Sequence, residues 1–171
     1  MGKRVGPKGY RAGKALDAAV TCIVTRKKSK TKIPKWAQKL GRKVVQLLWD
    51  DTIVKMTSQL VVCDNKHNYA TAVDVCGVDA SPSPTKYVIV ELKYSSHKSS
   101  FISNLYNVPG RNAPRMQRCG LPNTMAEQHK MQVRATARLF CDNFKVDKSK
   151  VRALVVVAPY SGPLLKYPVE L

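Results

Sequence analysis

Acidic residues are scarce in this chain: eleven Asp and Glu face thirty Lys and Arg among 171 residues, a formal charge of +19. A compact state with that excess repels itself unless a polyanion supplies counter-charge. A nucleic-acid partner is therefore expected, ahead of an anionic membrane surface or a merely solvated exterior. Cysteine is sparse and unpaired in pattern. Cys22, Cys63, Cys76, Cys119 and Cys141 are odd in number and form no Cys-x-x-Cys, which argues against a disulfide framework or a zinc ribbon. They read as reduced thiols of an intracellular, reducing compartment. Only three histidines occur (His67, His97, His129), without metal-ligand spacing, and they read as surface residues. Long apolar runs near the start are missing too. The cations of MGKRVGPKGYRAGK lead into ALDAAVTCIV, which is short and broken by Asp17, so neither a signal peptide nor a membrane span is expected.

Hydrophobic residues nevertheless make up 44% of the chain, enough for one buried core at this length. Residues 1 to 35 hold eleven Lys and Arg against the single acid Asp17, with Gly2, Gly6, Gly9 and Gly13 weakening regular structure. Residues 1–33 read as a basic arm, with a short packing element at about Ala15 to Val24. The run TRKKSKTK that follows, including Arg26, Lys27 and Lys28, fits a phosphate-contacting patch or a nuclear-import signal. Residues 34–171 read as one domain. Pro34 suits a first helical turn, and Trp36, Leu40, Val44, Leu47 and Leu48 recur at helical spacing, predicting a helix from about Pro34 to Trp49. SQLVVCD, NYATAVDVCGVDA and KYVIVELKY predict a three-strand meander. The Ser-, Asn-, Pro- and Arg-rich stretch from Ser95 to Thr124 predicts a long loop, Met125 to Phe144 a second helix, and VRALVVVAP a strand buried on both faces. The order is αβββαβ, an α/β fold with a central mixed sheet flanked by helices.

Side chains alternate along a strand, so Tyr87, Ile89, Glu91 and Lys93 share one face while Val88, Val90 and Leu92 share the other. A carboxylate and an ammonium inside so apolar a strand are costly to bury unless paired, metal-bound or solvated at a cleft. Asp74 lies in the preceding strand, and a hairpin through SPSPT brings it beside Glu91. Two carboxylates and a lysine at one place suit a hard cation such as Mg²⁺, with the lysine oriented toward water and phosphate. The plain alternative for Glu91 and Lys93 is a surface salt bridge.

With the order of elements added, TAVDVCGVDASPSPTKYVIVELKY resembles the motif pair of the PD-(D/E)XK nuclease superfamily: an Asp near the second strand, then Glu-x-Lys on the third. The resemblance extends from about Pro34 to Pro168. EQHKMQVRATARLF is similar to the helix that carries an inward glutamine in the λ-exonuclease-like and viral branches, with Gln132 the better match and Gln128 one turn earlier. The resemblance implies Asp74, Glu91 and the Leu92 carbonyl as ligands of Mg²⁺ or Mn²⁺, Lys93 as the water-orienting group and Gln132 as its support. Val73 stands where the family's name has Pro. Asp50 and Asp51 are candidates for an acid on the first helix, although a helix C-terminus disfavours carboxylates. Asp79 is an alternative to Asp74.

For the substrate, Lys130, Arg134 and Arg138 form a stripe on the second helix beside the apolar Val133, Ala137 and Phe140. Arg111, Arg115 and Arg118 follow Phe101 and Tyr106 in the predicted loop, a mixture suited to phosphates and base stacking. No base-reading motif occurs, so recognition by charge and backbone shape is expected, with DNA ahead of RNA. The competing expectation is a non-catalytic nucleic-acid-binding or packaging protein, including one on an inactivated nuclease fold.

Overall fold

The stretch from Val151 to Pro159 is buried at nearly every position, so both of its sides need cover. The computed structural model, which describes residues 9–81, 85–106 and 124–171, supplies that cover with helices on the two faces of one sheet. The elements are α1 (Gly9–Thr25), α2 (Lys35–Asp50), β1 (Ile53–Asp64), β2 (Tyr69–Asp79), β3 (Lys86–Lys98), α3 (Ser99–Leu105), α4 (Met125–Phe144), β4 (Val151–Ser161) and β5 (Leu165–Val169). The sheet order is β1-β2-β3-β4-β5. Only β3 and β4 run parallel; the other neighbours are antiparallel. The fold is α/β with a five-stranded mixed sheet, and α2-β1-β2-β3-α4-β4 reproduces the αβββαβ order.

Alternation along β3 divides the core. Val88, Val90 and Leu92 join Leu154, Val156 and the α1–α2 side chains Leu16, Val20, Val44 and Leu48. Ile89 joins Val155, Val157 and the α4 residues Val133, Ala137 and Phe140 on the other face. Helix α4 begins where Thr124 Oγ1 accepts the Glu127 N–H, the first half of a Thr-x-x-Glu cap, and stops at Lys145 in the left-handed region.

Three stretches differ from the sequence reading. Residues 9–25 of the predicted arm form α1, longer than the expected 15–24 element. Its buried Ala12, Leu16, Ala19 and Val20 pack on the domain, because spacings of three and four gather them on one stripe despite Gly13. Helix α2 comes close enough that a Cβ on Gly41 would lie 3.0 Å from Ala19 Cβ. Within the predicted loop, β3 continues to Lys98 and α3 follows, its Ile102 buried together with Tyr106 just beyond. β5 extends the sheet beyond β4; Leu165, Tyr167 and Val169 alternate with Lys166 and Pro168, but a five-residue run that includes a proline is too short to mark a strand. Arg111, Arg115 and Arg118 lie outside the described residues, as do residues 1–8. Among the described residues no helix is long and apolar enough to cross a membrane.

Candidate active site

The β2–β3 ladder ends at the pair Val75–Val90. Continued register would set Asp74 opposite Glu91, but the Asp74 carboxylate instead accepts the Leu92 N–H at 2.7 Å, where a strand carbonyl would otherwise stand. Side-chain alternation breaks here: Val73 joins the α4-side core and Val75 the α1–α2-side core. The strands therefore part at Asp74, leaving a gap. Within an extended strand the N–H and C=O of one residue point to the same side, so the Leu92 carbonyl opens toward that gap as well.

Glu91 and Lys93 share the α4 side of β3, as their spacing predicts. Lys93 Nζ donates to Glu91 Oε1 at 2.5 Å and to Gln132 Oε1 of α4 at 2.8 Å. The Glu91 side chain is 4% exposed and that of Lys93 25%, so this is not the solvated surface pair of the plain alternative. Asp74, Glu91, Leu92, Lys93 and Gln132 thus meet at the gap.

Helix α1 brings a residue that the sequence reading passed over. The Ser58 hydroxyl donates to the Asp74 carbonyl at 2.6 Å and lies 2.8 Å from Thr21 Oγ1, tethering α1 to the parted strands. One turn before Thr21, Asp17 lies in the field of the site. Burial, then Asp74 and Glu91, push its carboxyl up to about 7, with Lys93 opposing. Burial and the Asp74 charge likewise push Glu91 up to about 7 against the pull of Lys93. Asp74 is raised by burial, opposed by the Leu92 N–H and Lys93. Three carboxyl groups with one ammonium among them disfavour full ionisation. The signal for Asp17 was present in the sequence: a lone acid on the margin of the apolar stripe of a largely apolar helix, in an N-terminal stretch otherwise free of acids.

His129, expected at the surface, is half-buried instead. Its Nδ1 lies 3.1 Å from the buried Tyr106 hydroxyl, and burial followed by the Lys93 charge pushes its imidazole down to about 4. It is a neutral ring on the α4 wall of the site. The other acids considered are elsewhere. Asp79 accepts from Arg152 at 2.7 Å and from Thr52 and Ser81, bonds that hold its carboxyl well below the usual range despite burial. Asp51 pairs with Arg152 and Lys166, and Asp50 accepts from Gln46 Nε2. Asp51 and Asp79 brace α2 and β2 against β4 and β5 and do not reach the gap.

Among the described residues no three His, Cys, Asp or Glu side chains form a preformed metal cage. The donors at the gap are carboxylate and carbonyl oxygens with a negative excess, and that chemistry fits a hard divalent cation completed by water and phosphate oxygens.

The predicted substrate contacts separate into two groups. On α4, Lys130 pairs with Glu127 at 2.8 Å, Arg134 Nε donates to the Glu170 carbonyl, and Arg138 lies 3.9 Å from Asp142. That stripe is partly neutralised. Arg26, Lys27 and Lys28 are exposed beyond α1, and Lys27 and Lys28 join Lys32, Lys35 and Arg42 around a cavity of about 580 Å³. From residue 9 to residue 49, eleven Lys and Arg accompany only Asp17, and none of the seven ion pairs among the described residues includes any of those cations. The α1–α2 face carries the larger uncompensated positive charge.

Comparison of the chain with protein-family models, curated proteins and solved structures gives no match.

Proposed function

We propose that this chain is a metal-dependent nuclease of the PD-(D/E)XK kind, hydrolysing DNA phosphodiester bonds and binding the backbone without reading sequence. One observation carries the reading: Asp74, Glu91, Lys93 and Gln132, drawn from three elements, converge where β2 and β3 part. An architectural salt bridge would need neither the parted ladder nor three carboxyl groups sharing a field.

Asp74, Glu91 and the Leu92 carbonyl would hold Mg²⁺ or Mn²⁺, with Asp17 as a further carboxylate at the same gap. Bound there, the cation supplies positive charge to the scissile phosphate and its attacking water. Lys93 directs its ammonium toward that water and toward charge developing on the phosphate. Gln132 fixes the lysine by accepting a hydrogen bond from its ammonium group. The unpaired cations of the α1–α2 face hold the polyanion, a contact that weakens with salt.

The test is cleavage of labelled single- and double-stranded DNA with and without Mg²⁺ or Mn²⁺, alongside calorimetric metal titration. Glu91→Ala is expected to abolish both cleavage and tight metal binding while DNA affinity holds or rises, since a carboxylate near phosphate repels it. Lys93→Ala is expected to abolish cleavage and keep metal binding. A folded wild type that cuts neither substrate, with metal binding unchanged in Glu91→Ala, would replace this reading with a non-catalytic nucleic-acid-binding protein on the same scaffold.

A further inference from the structure

In open α/β sheets ligands gather outside the carboxyl ends of the parallel strands. β3 and β4 are the parallel pair here, with Lys93 opposite Val157, Tyr94 opposite Ala158 and Ser95 opposite Pro159. Directly beyond, Pro159, Tyr160, Ser161 and Gly162 of β4 and its turn form one wall of a cavity of about 260 Å³, and Trp36, Lys39, Leu40 and Lys43 of α2 form the other. Tyr160 is three residues past the partner of Lys93, roughly 10 Å along the strand.

The lining has a definite chemistry. Trp36 is half-buried, its ring centroid 5.5 Å from that of Tyr94, whereas Tyr160 is 46% exposed. Lys39 and Lys43, four apart on α2, are exposed on one side of the helix, and neither belongs to an ion pair among the described residues. The Tyr94 ring meets that of Trp36, and its hydroxyl is buried with no hydrogen-bond partner among the described residues. A core needs no exposed tyrosine beside a tryptophan and two unpaired ammonium groups. An aromatic ring face takes an unpaired nucleobase, whatever its identity, and lysines on the rim take the phosphates that flank it. Paired bases inside a duplex offer no free face to stack. The two ammonium groups favour a phosphate-bearing occupant over an apolar one. The pocket lies on the α2 side of the sheet and Lys93 on the α4 side, and a strand passing over the carboxyl ends of β3 and β4 would reach both.

We infer that this pocket is a base-stacking subsite, Trp36 and Tyr160 with Lys39 and Lys43, that holds an unpaired nucleotide of a single-stranded substrate near the candidate active site. The inference rests on the nuclease reading for its substrate and adds to it the strandedness: single-stranded or frayed ends are favoured over closed duplex.

Binding of a short oligodeoxythymidylate and of a blunt hairpin duplex of equal charge is measured in EDTA, by tryptophan fluorescence in a Trp49→Phe background and by anisotropy. The single strand is expected to change Trp36 emission and the hairpin to leave it unchanged. Tyr160→Ala is expected to weaken single-strand binding about tenfold, as stacking of one base is worth about 1–3 kcal/mol, while hairpin affinity changes less than twofold. Lys39→Ala with Lys43→Ala is expected to weaken single-strand binding and lower its salt slope. Trp36→Phe is compared only after a melting curve, because Trp36 also packs on Tyr94; Tyr160 and the lysines carry the test if it unfolds. Unchanged single-strand affinity in Tyr160→Ala and in the lysine pair, or equal losses for strand and hairpin, would overturn the subsite. Because these readings are taken without metal, they fail independently of the cleavage assay.

Discussion

Replacing Asp17 by Asn removes one of three carboxyl groups that act on one another where β2 and β3 part, at nearly constant shape. The wild-type carboxyl is pushed from an ordinary 3.8 to about 7 by burial and by Asp74 and Glu91. At 1.36 kcal/mol per tenfold change, that difference has a ceiling of about 4 kcal/mol of destabilisation when the group is ionised. Partial solvent access and the sharing of charge with two neighbours reduce it to about 1–2 kcal/mol. The sign follows from proton uptake. Above about pH 7 the folded wild type carries the full repulsion. As pH falls from about 7 toward 3.8 the folded form binds a proton that the unfolded chain does not, and the wild type gains stability. Asp17→Asn is therefore expected to melt roughly 2–8 °C above wild type at pH 8, with the gap closing toward pH 4. Mg²⁺ or Mn²⁺ at pH 8 should narrow the gap by stabilising the wild type, while cleavage by the variant falls. The assay is thermal unfolding of both proteins from pH 4 to 8, with and without metal. A variant less stable than wild type at pH 8, or a gap indifferent to pH, would refute the placement of Asp17 in the field of Asp74 and Glu91.

Two further outcomes test other parts of the argument. Affinity for DNA should fall log-linearly with salt at a slope of about 0.9 per neutralised phosphate, and Arg26→Ala with Lys27→Ala and Lys28→Ala should lower that slope more than Arg134→Ala with Arg138→Ala, because the α4 pair is already engaged; equal effects in filter binding would shift the principal contact to α4. Arg152→Ala, which leaves the buried Asp79 without its guanidinium partner, should cost about 2–3 kcal/mol in urea unfolding while sparing metal binding, and loss of metal affinity without loss of stability would move Asp79 into the site.

Much of the architecture was legible in the chain because it depends on local period. Trp36 through Leu48 repeat at helical spacing, β4 is an unbroken apolar run, and Met125 and Phe144 bound α4 as the pattern predicts. The sharing of one face by Glu91 and Lys93 followed from strand geometry alone, and Gln132 does meet Lys93 across β3 and α4. Less legible were α1, whose glycines and cations imitate a solvated arm, and β5, which has its place only as a partner for β4.

The amino-acid order by itself determined the αβββαβ order of the core, the large positive charge and the shared face of Glu91 and Lys93, since each depends on composition or on spacing within one element. Only the tertiary structure decided which acids stand together. Asp51 and Asp79 pair with Arg152, whereas Asp17, far from Asp74 in sequence, is carried to it by the apolar stripe of α1 packing over the parted strands. Charge interaction depends on separation in space, and that separation is set by hydrophobic packing between elements, which no local period encodes.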